Sequence, residues 1–82
     1  MSVDDIAAAL DKLTDSEFVI IEGYEDETDQ GSYGVSFYRK RDCISIYEED
    51  YGSYLGSKVR DVVSELYDDG FTEVSYEELQ NR

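Results

Sequence analysis

The side chains best able to do chemistry in this chain are one cysteine, Cys43, and 21 carboxylates, with no histidine among them. Histidine is the usual general base near neutral pH, so Cys43 has no imidazole to take its proton. Cys43 lies in an alternating, β-rich segment, where an unactivated thiol is expected as a small buried core residue. Two carboxylates can divide acid and base roles, but among 21 a close pair is inevitable and the pattern singles none out. Phosphate loops are missing too, since Gly31 and Gly34 fall in a turn and at a strand start. Glu25, Glu27, Asp29 and Gly31 alternate like the front of a calcium loop. An EF-hand places Gly sixth and Glu twelfth, whereas here Gly is seventh and Ser36 stands twelfth. A solvated acidic loop is the better reading. The chain is therefore expected to be no enzyme, with no catalytic residue, metal or cofactor.

What remains is binding chemistry. Acidic residues outnumber basic ones 21 to 7, for a net charge of −14. Such a charge repels itself, keeps the protein from DNA and anionic membranes, and speeds encounter with cationic partners. Solubility is a weak explanation, because a net charge of about 2–8 suffices for a small domain. Tyrosine is the second cue, at 8 residues against 3 Phe and no Trp. Tyr33 and Tyr67 are expected to fill half-buried positions. Tyr24, Tyr51 and Tyr54 sit near or in acidic turns and fit interface anchors, since Tyr offers rigid contact area with a polar tip.

The elements that must position these residues follow from periodicity. Ser2 and Asp5 resemble a capping box, and Val3, Ile6, Leu10 and Leu13 recur at helical spacing, which predicts a helix over about 3–14. Asp4, Asp11 and Asp15 fall on its solvated face. Residues 17–24, with Phe18, Val19, Ile20 and Ile21 in succession, read as a strand covered on at least part of both faces. Tyr33–Tyr38 alternates, with Tyr33, Val35 and Phe37 inward and Gly34, Ser36 and Tyr38 outward. Cys43–Glu48 alternates as well, and Arg39-Lys40-Arg41-Asp42 joins the two as a hairpin. Ser57 is expected to cap a second helix of about 58–69, with Tyr54 as an alternative start. Leu55, Val59, Val62 and Leu66 form its buried stripe and Gly70 its left-handed stop. Asp61, Glu65 and Asp68 form an exposed acidic stripe on that helix. Residues 71–74 read as a short strand, and Ser75 with Glu78 as the box opening a terminal helical turn. The whole is one α+β domain over residues 1–82: helix, three-stranded antiparallel meander, second helix, then a short strand and helical turn.

The thin core is consistent with this size, because so small a chain buries only about 60% of its unfolded surface. No apolar run approaches the roughly 20 residues of a membrane span. The acidic start, Ser2 to Asp5, argues against a secretory signal, and one unpaired cysteine fits a reducing cytoplasm. In a meander, alternate connections lie at opposite ends of the sheet. Glu25, Asp26, Glu27 and Asp29 are thereby expected beside Glu48, Glu49 and Asp50, with Tyr24, Tyr51 and Tyr54 around them. Arg39, Lys40 and Arg41 go to the far end. Spread over roughly 5,000 Å², the acids would average one per about 240 Å². Duplex DNA carries one phosphate per roughly 110 Å² of its cylinder, so only clustering on one face can match it.

Acids interleaved with tyrosines on a tiny scaffold without catalytic groups resemble the small DNA-mimic inhibitors of phages and plasmids, the anti-restriction and anti-CRISPR proteins. The order helix, three antiparallel strands, helical segments is similar to that of an anti-CRISPR that occupies the PAM-reading cleft of its target nuclease. The resemblance lies in composition and element order and involves no shared motif. It implies a partner that is a basic nucleic-acid-binding protein, such as a nuclease or defence complex, with no direct binding of nucleic acid or membrane. Two other readings stay open. An immunity protein or antitoxin would also cover a basic nuclease, and a small domain from a halophilic host would need no cationic partner.

Overall fold

The computed structural model describes residues 3–24 and 33–82. In chain order these form α1 (Val3–Leu10), β1 (Glu17–Tyr24), β2 (Tyr33–Arg39), β3 (Cys43–Tyr47) and α2 (Glu48–Tyr51). A 3-10 turn (Gly52–Tyr54), α3 (Leu55–Asp68), β4 (Thr72–Glu73) and α4 (Tyr76–Gln80) follow. The α+β class and the expected element order hold. The sheet runs β3-β2-β1-β4. Its first three strands are the antiparallel meander, with Ile20 opposite Phe37 and Val35 opposite Ile46. The short strand β4 adds parallel to β1 at Glu17 and Phe18, so the sheet is mixed. A parallel partner needs a crossover, and α3 supplies it.

The run Phe18–Ile21 works because alternate residues enter two cores. On one side Phe18, Val35, Phe37 and Ile46 pack with Val62 and Leu66 of α3. On the other, Val19 packs with Ala9, Leu13, Val74 and Leu79 from α1, α4 and the segments beside them. Phe18 and Phe37 are wholly buried, each worth about 2–3 kcal/mol of transfer free energy. Tyr38, expected outward, lies against the second core because that face is covered too.

Helix α1 ends at Leu10, short of the expected boundary near 14. Lys12 N–H and Leu13 N–H donate to the carbonyls of Ala9 and Leu10 at 3.0 and 3.1 Å. These tighter bonds turn Leu13 into the core. The carbonyls of Asp11 and Leu13 accept from Lys40 Nζ at 3.3 and 2.9 Å, which satisfies groups left over at the helix end. Val3, expected in the apolar stripe, is 82% exposed, and Ala9 takes the buried place. The Ser2–Asp5 box involves Ser2, which lies outside the described residues.

Helix α3 begins at Leu55 with Tyr54 at its N-cap, in line with the alternative start, and Ser57 is not its cap. The 3-10 turn runs straight into the helix, with Leu55 N–H donating to the Gly52 carbonyl. Ser57 instead accepts from Arg60 at 3.3 Å. The apolar stripe is as expected, with Val62 and Leu66 buried and Leu55 and Val59 packed on the core. Gly70 follows the helix at φ 95°, a conformation that disfavours any side chain. Ser75 caps α4 by accepting from Glu78 N–H at 3.1 Å.

Cys43 is exposed, contrary to the expectation of a core thiol. It stands on edge strand β3, on the face that α1 and α4 cover only near β1 and β4. Ile44 and Ile46 point to the α3 side, and Cys43 is left beside Ser45, 3.5 Å from its hydroxyl.

Candidate partner-binding surface

The strand registers fix the two ends of the molecule. Tyr24 pairs with Tyr33, and Gly34 pairs with Tyr47, so β1 finishes, β2 starts and β3 finishes at one end. Glu48, Glu49 and Asp50 follow at that end. They were expected at the exit of the third strand, and there they form the first turn of helix α2. Three carboxylates there face the positive end of the helix dipole, which favours the helical turn over a loop. All three residues are exposed. Glu25, Asp26, Glu27 and Asp29, the other half of the expected patch, lie outside the described residues, as does the calcium-loop alternation ending at Gly31.

The tyrosines divide. Tyr54 is 74% exposed in the 3-10 turn and available as an anchor. Tyr51 is half-buried, packs on the α3-side core, and lies under Lys58 Nζ at 5.8 Å. Its ring already serves the fold, so the expectation of a free anchor is corrected. Tyr24 is placed by its backbone at the end of β1. Tyr33 fills a half-buried position, as expected, and its hydroxyl donates to Glu22 at 2.5 Å. Tyr67 is half exposed, its ring edge set against Phe18 with centroids 5.9 Å apart.

Asp61, Glu65 and Asp68 are exposed along α3, on the flank away from Val62 and Leu66. At 1.5 Å per residue the three span about 10 Å of helix. The chain therefore sets the turn acids and the stripe acids on consecutive elements of the same layer, above one side of the sheet.

Five of the seven cations go to other parts of the fold, and Lys58 and Arg60 lie on α3 itself. Arg39 grips Asp42 through two contacts, at 2.5 and 2.7 Å, and lies over the Phe71 ring. Lys40 holds the end of α1, and Arg41 reaches Asp15 at 4.0 Å. Lys12 donates to the Gln80 carbonyl, Lys58 covers Tyr51, and Arg60 bonds Ser57. Arg82 bonds both Glu17 oxygens at 2.8 Å and the Lys12 carbonyl at 3.1 Å. All seven basic residues thus contact their own chain. Among the described residues Glu48, Asp50, Asp61, Glu65 and Asp68 have no cationic partner, and neither have Asp4, Asp11, Asp69, Glu73 and Glu77 on other elements.

Glu17 marks the cation-rich end. The Arg82 bonds, with help from Thr14 N–H at 3.0 Å, lower its pKa to about 2 from an ordinary 4.5. A carboxyl depressed on folding stabilises fully above the ordinary value and loses that contribution as pH falls toward about 2. Glu17→Gln is expected to cost about 1 kcal/mol at pH 7, the order for a partly solvated bidentate pair. Urea melts should show the gap to wild type closing as pH drops below 4.5.

No described residues group three or more potential metal ligands, and no described helix is long and apolar enough to cross a membrane. The 21 acids on 5591 Å² average one per about 270 Å², so a nucleic-acid-like density arises only locally. Among the described residues Glu48, Glu49, Asp50, Asp61, Glu65 and Asp68 lie on the α2–α3 layer, and Asp4, Asp5, Asp11, Glu77 and Glu78 on or beside α1 and α4. Comparison with protein-family models, curated proteins and solved structures finds no match to this chain.

Proposed function

We propose that this protein is a non-enzymatic inhibitor of the DNA-mimic kind, acting in the cytoplasm on the basic nucleic-acid-binding surface of a nuclease or defence complex. The observation that carries the reading is the division of charge. Every cation contacts its own chain, mostly at the hairpin-turn end. Among the described residues Glu48, Asp50, Asp61, Glu65 and Asp68 of the α2–α3 layer stand exposed without cationic partners, with Tyr54 between them in the chain. Acids kept for solubility alone could sit anywhere. Exposed acids left unneutralised on a layer that also presents Tyr54 suit a cationic surface that neutralises them on contact.

The test is competition. A basic partner, captured from host lysate at low salt and then purified, should lose this protein when duplex DNA is added, because both fill one site. Direct binding to DNA should be absent at every ionic strength, given like charge on both sides. A partner that holds DNA and this protein together, without mutual weakening, would sink the proposal.

A further inference from the structure

Strand β3 is the edge of the sheet, paired among the described residues with β2 alone. Residues 43–47 carry no charge and no proline, include Ile44 and Ile46, and expose Cys43 and Ser45. Soluble proteins usually guard an edge with charge, proline, a bulge or a covering element, and this strand carries neither of the first two. The hairpin fixes which backbone groups point outward. Arg39 N–H donates to the Asp42 carbonyl at 2.9 Å, and bonded pairs alternate along an antiparallel ladder. The N–H and C=O groups of Ile44 and Ile46 therefore face β2, while those of Cys43 and Ser45 turn away from it.

The flanks of this edge differ in sign. At its start Arg41 extends into solvent with its side chain 85% exposed, and Arg39 already neutralises Asp42. At its end stand the acids of residues 48–50. A wholly basic strand would suit one flank and be repelled by the other. A strand with the same two flanks, laid antiparallel, suits both.

We infer that the β3 edge is a pairing surface for a second copy of this chain, two β3 strands lying antiparallel about a two-fold axis at Ser45. With Ser45 opposite itself, Cys43 faces Tyr47 of the second copy, and each Arg41 comes to the acidic turn of the other, twice by symmetry. Outward-pointing backbone groups meet in this register, so the two four-stranded sheets join into one. Opposing it is the net charge of −14 on each copy. That repulsion is long-range and is screened beyond about 8 Å at physiological salt, whereas the flank pairs act at contact. Pairing is thus a moderate-salt property. It does not depend on the inhibitor reading, since the competition experiment and the measurement of mass can succeed or fail separately.

Sedimentation equilibrium at about 0.3 M salt, where the Debye length falls well below 10 Å, should show a dimer, and hydrogen exchange should show the Cys43 and Ser45 amides protected in it. The double variant Cys43→Ser, Ser45→Cys should cross-link on mild oxidation, because residues paired at the axis sit about 5.5 Å apart at Cα. The wild-type thiols would lie about 14 Å apart, four residues along the strand, and should not cross-link. Ser45→Pro removes an outward N–H from an edge position that tolerates proline, and should yield a folded monomer. Arg41→Glu, which leaves the strand untouched, should weaken the dimer by about tenfold or more. Three outcomes would each overturn the inference: a monomer at every salt, wild type cross-linking as efficiently as the double variant, or a dimer indifferent to Arg41→Glu.

Discussion

Charge reversal on the α2–α3 layer is expected to abolish partner binding at working concentrations. Asp50→Lys with Glu65→Lys places two cations where a basic surface must seat, and should cost several kcal/mol if those contacts are desolvated, with slower association as part of the loss. Asp4→Lys with Asp11→Lys is the matched control. Both residues are exposed on or just after α1, on the opposite side of the sheet, and the change in net charge is the same. Surface plasmon resonance on wild type and the two double variants decides the matter. Equal losses from the two pairs would mean that only overall charge counts. Adding Asp26→Lys asks whether the 25–29 acids share the contact. Tyr54→Ala should act mainly through faster dissociation, because the ring is exposed and its loss leaves the core intact. Tyr51→Ala is the poorer probe, since its ring packs on the core and truncation also destabilises the fold.

Raising salt from about 20 mM to 1 M should raise the melting temperature, as the Debye length shrinks to about 3 Å. The reason lies in how the cations are used. Most are already committed to contacts with their own chain, and Arg41, 85% exposed, is the loosest of them, so further neutralisation must come mainly from solution ions. If screening recovers about 2 kcal/mol, a domain of this size should gain roughly 10 °C. Mild acidification works the same way at first, and meets the loss of the Glu17 contribution only at lower pH. Scanning calorimetry across salt checks it. A flat profile would mean the acids are too far apart to repel. Refusal to fold below molar salt would instead point to adaptation to a saline cytoplasm.

Periodicity in the sequence alone determines much of this fold. The Phe18–Ile21 run demanded two covered faces, and Leu55, Val59, Val62 and Leu66 demanded one helix, because burial depends on which face a residue takes. Gly70 and Ser75 marked boundaries through local backbone chemistry, which needs no distant partner. Net charge, too, is a property of composition alone. Tertiary structure decided what depends on distant neighbours. Cys43 is exposed because β3 became an edge that neither α1 nor α4 reaches, which no local alternation reveals. Helix α1 stops early, and Lys40, 27 residues beyond Leu13, bonds the carbonyls left at its end. Tyr51 became core and Tyr54 did not, although both stand in one acidic, glycine-containing stretch, because α2 turns only the former toward the sheet. Above all, the sequence counts 7 cations without saying where they go. Folding sets Lys40 on the end of α1 and Arg82 on Glu17, and leaves acids of the α2–α3 layer without cationic partners, because these contacts join residues that only the folded chain brings together.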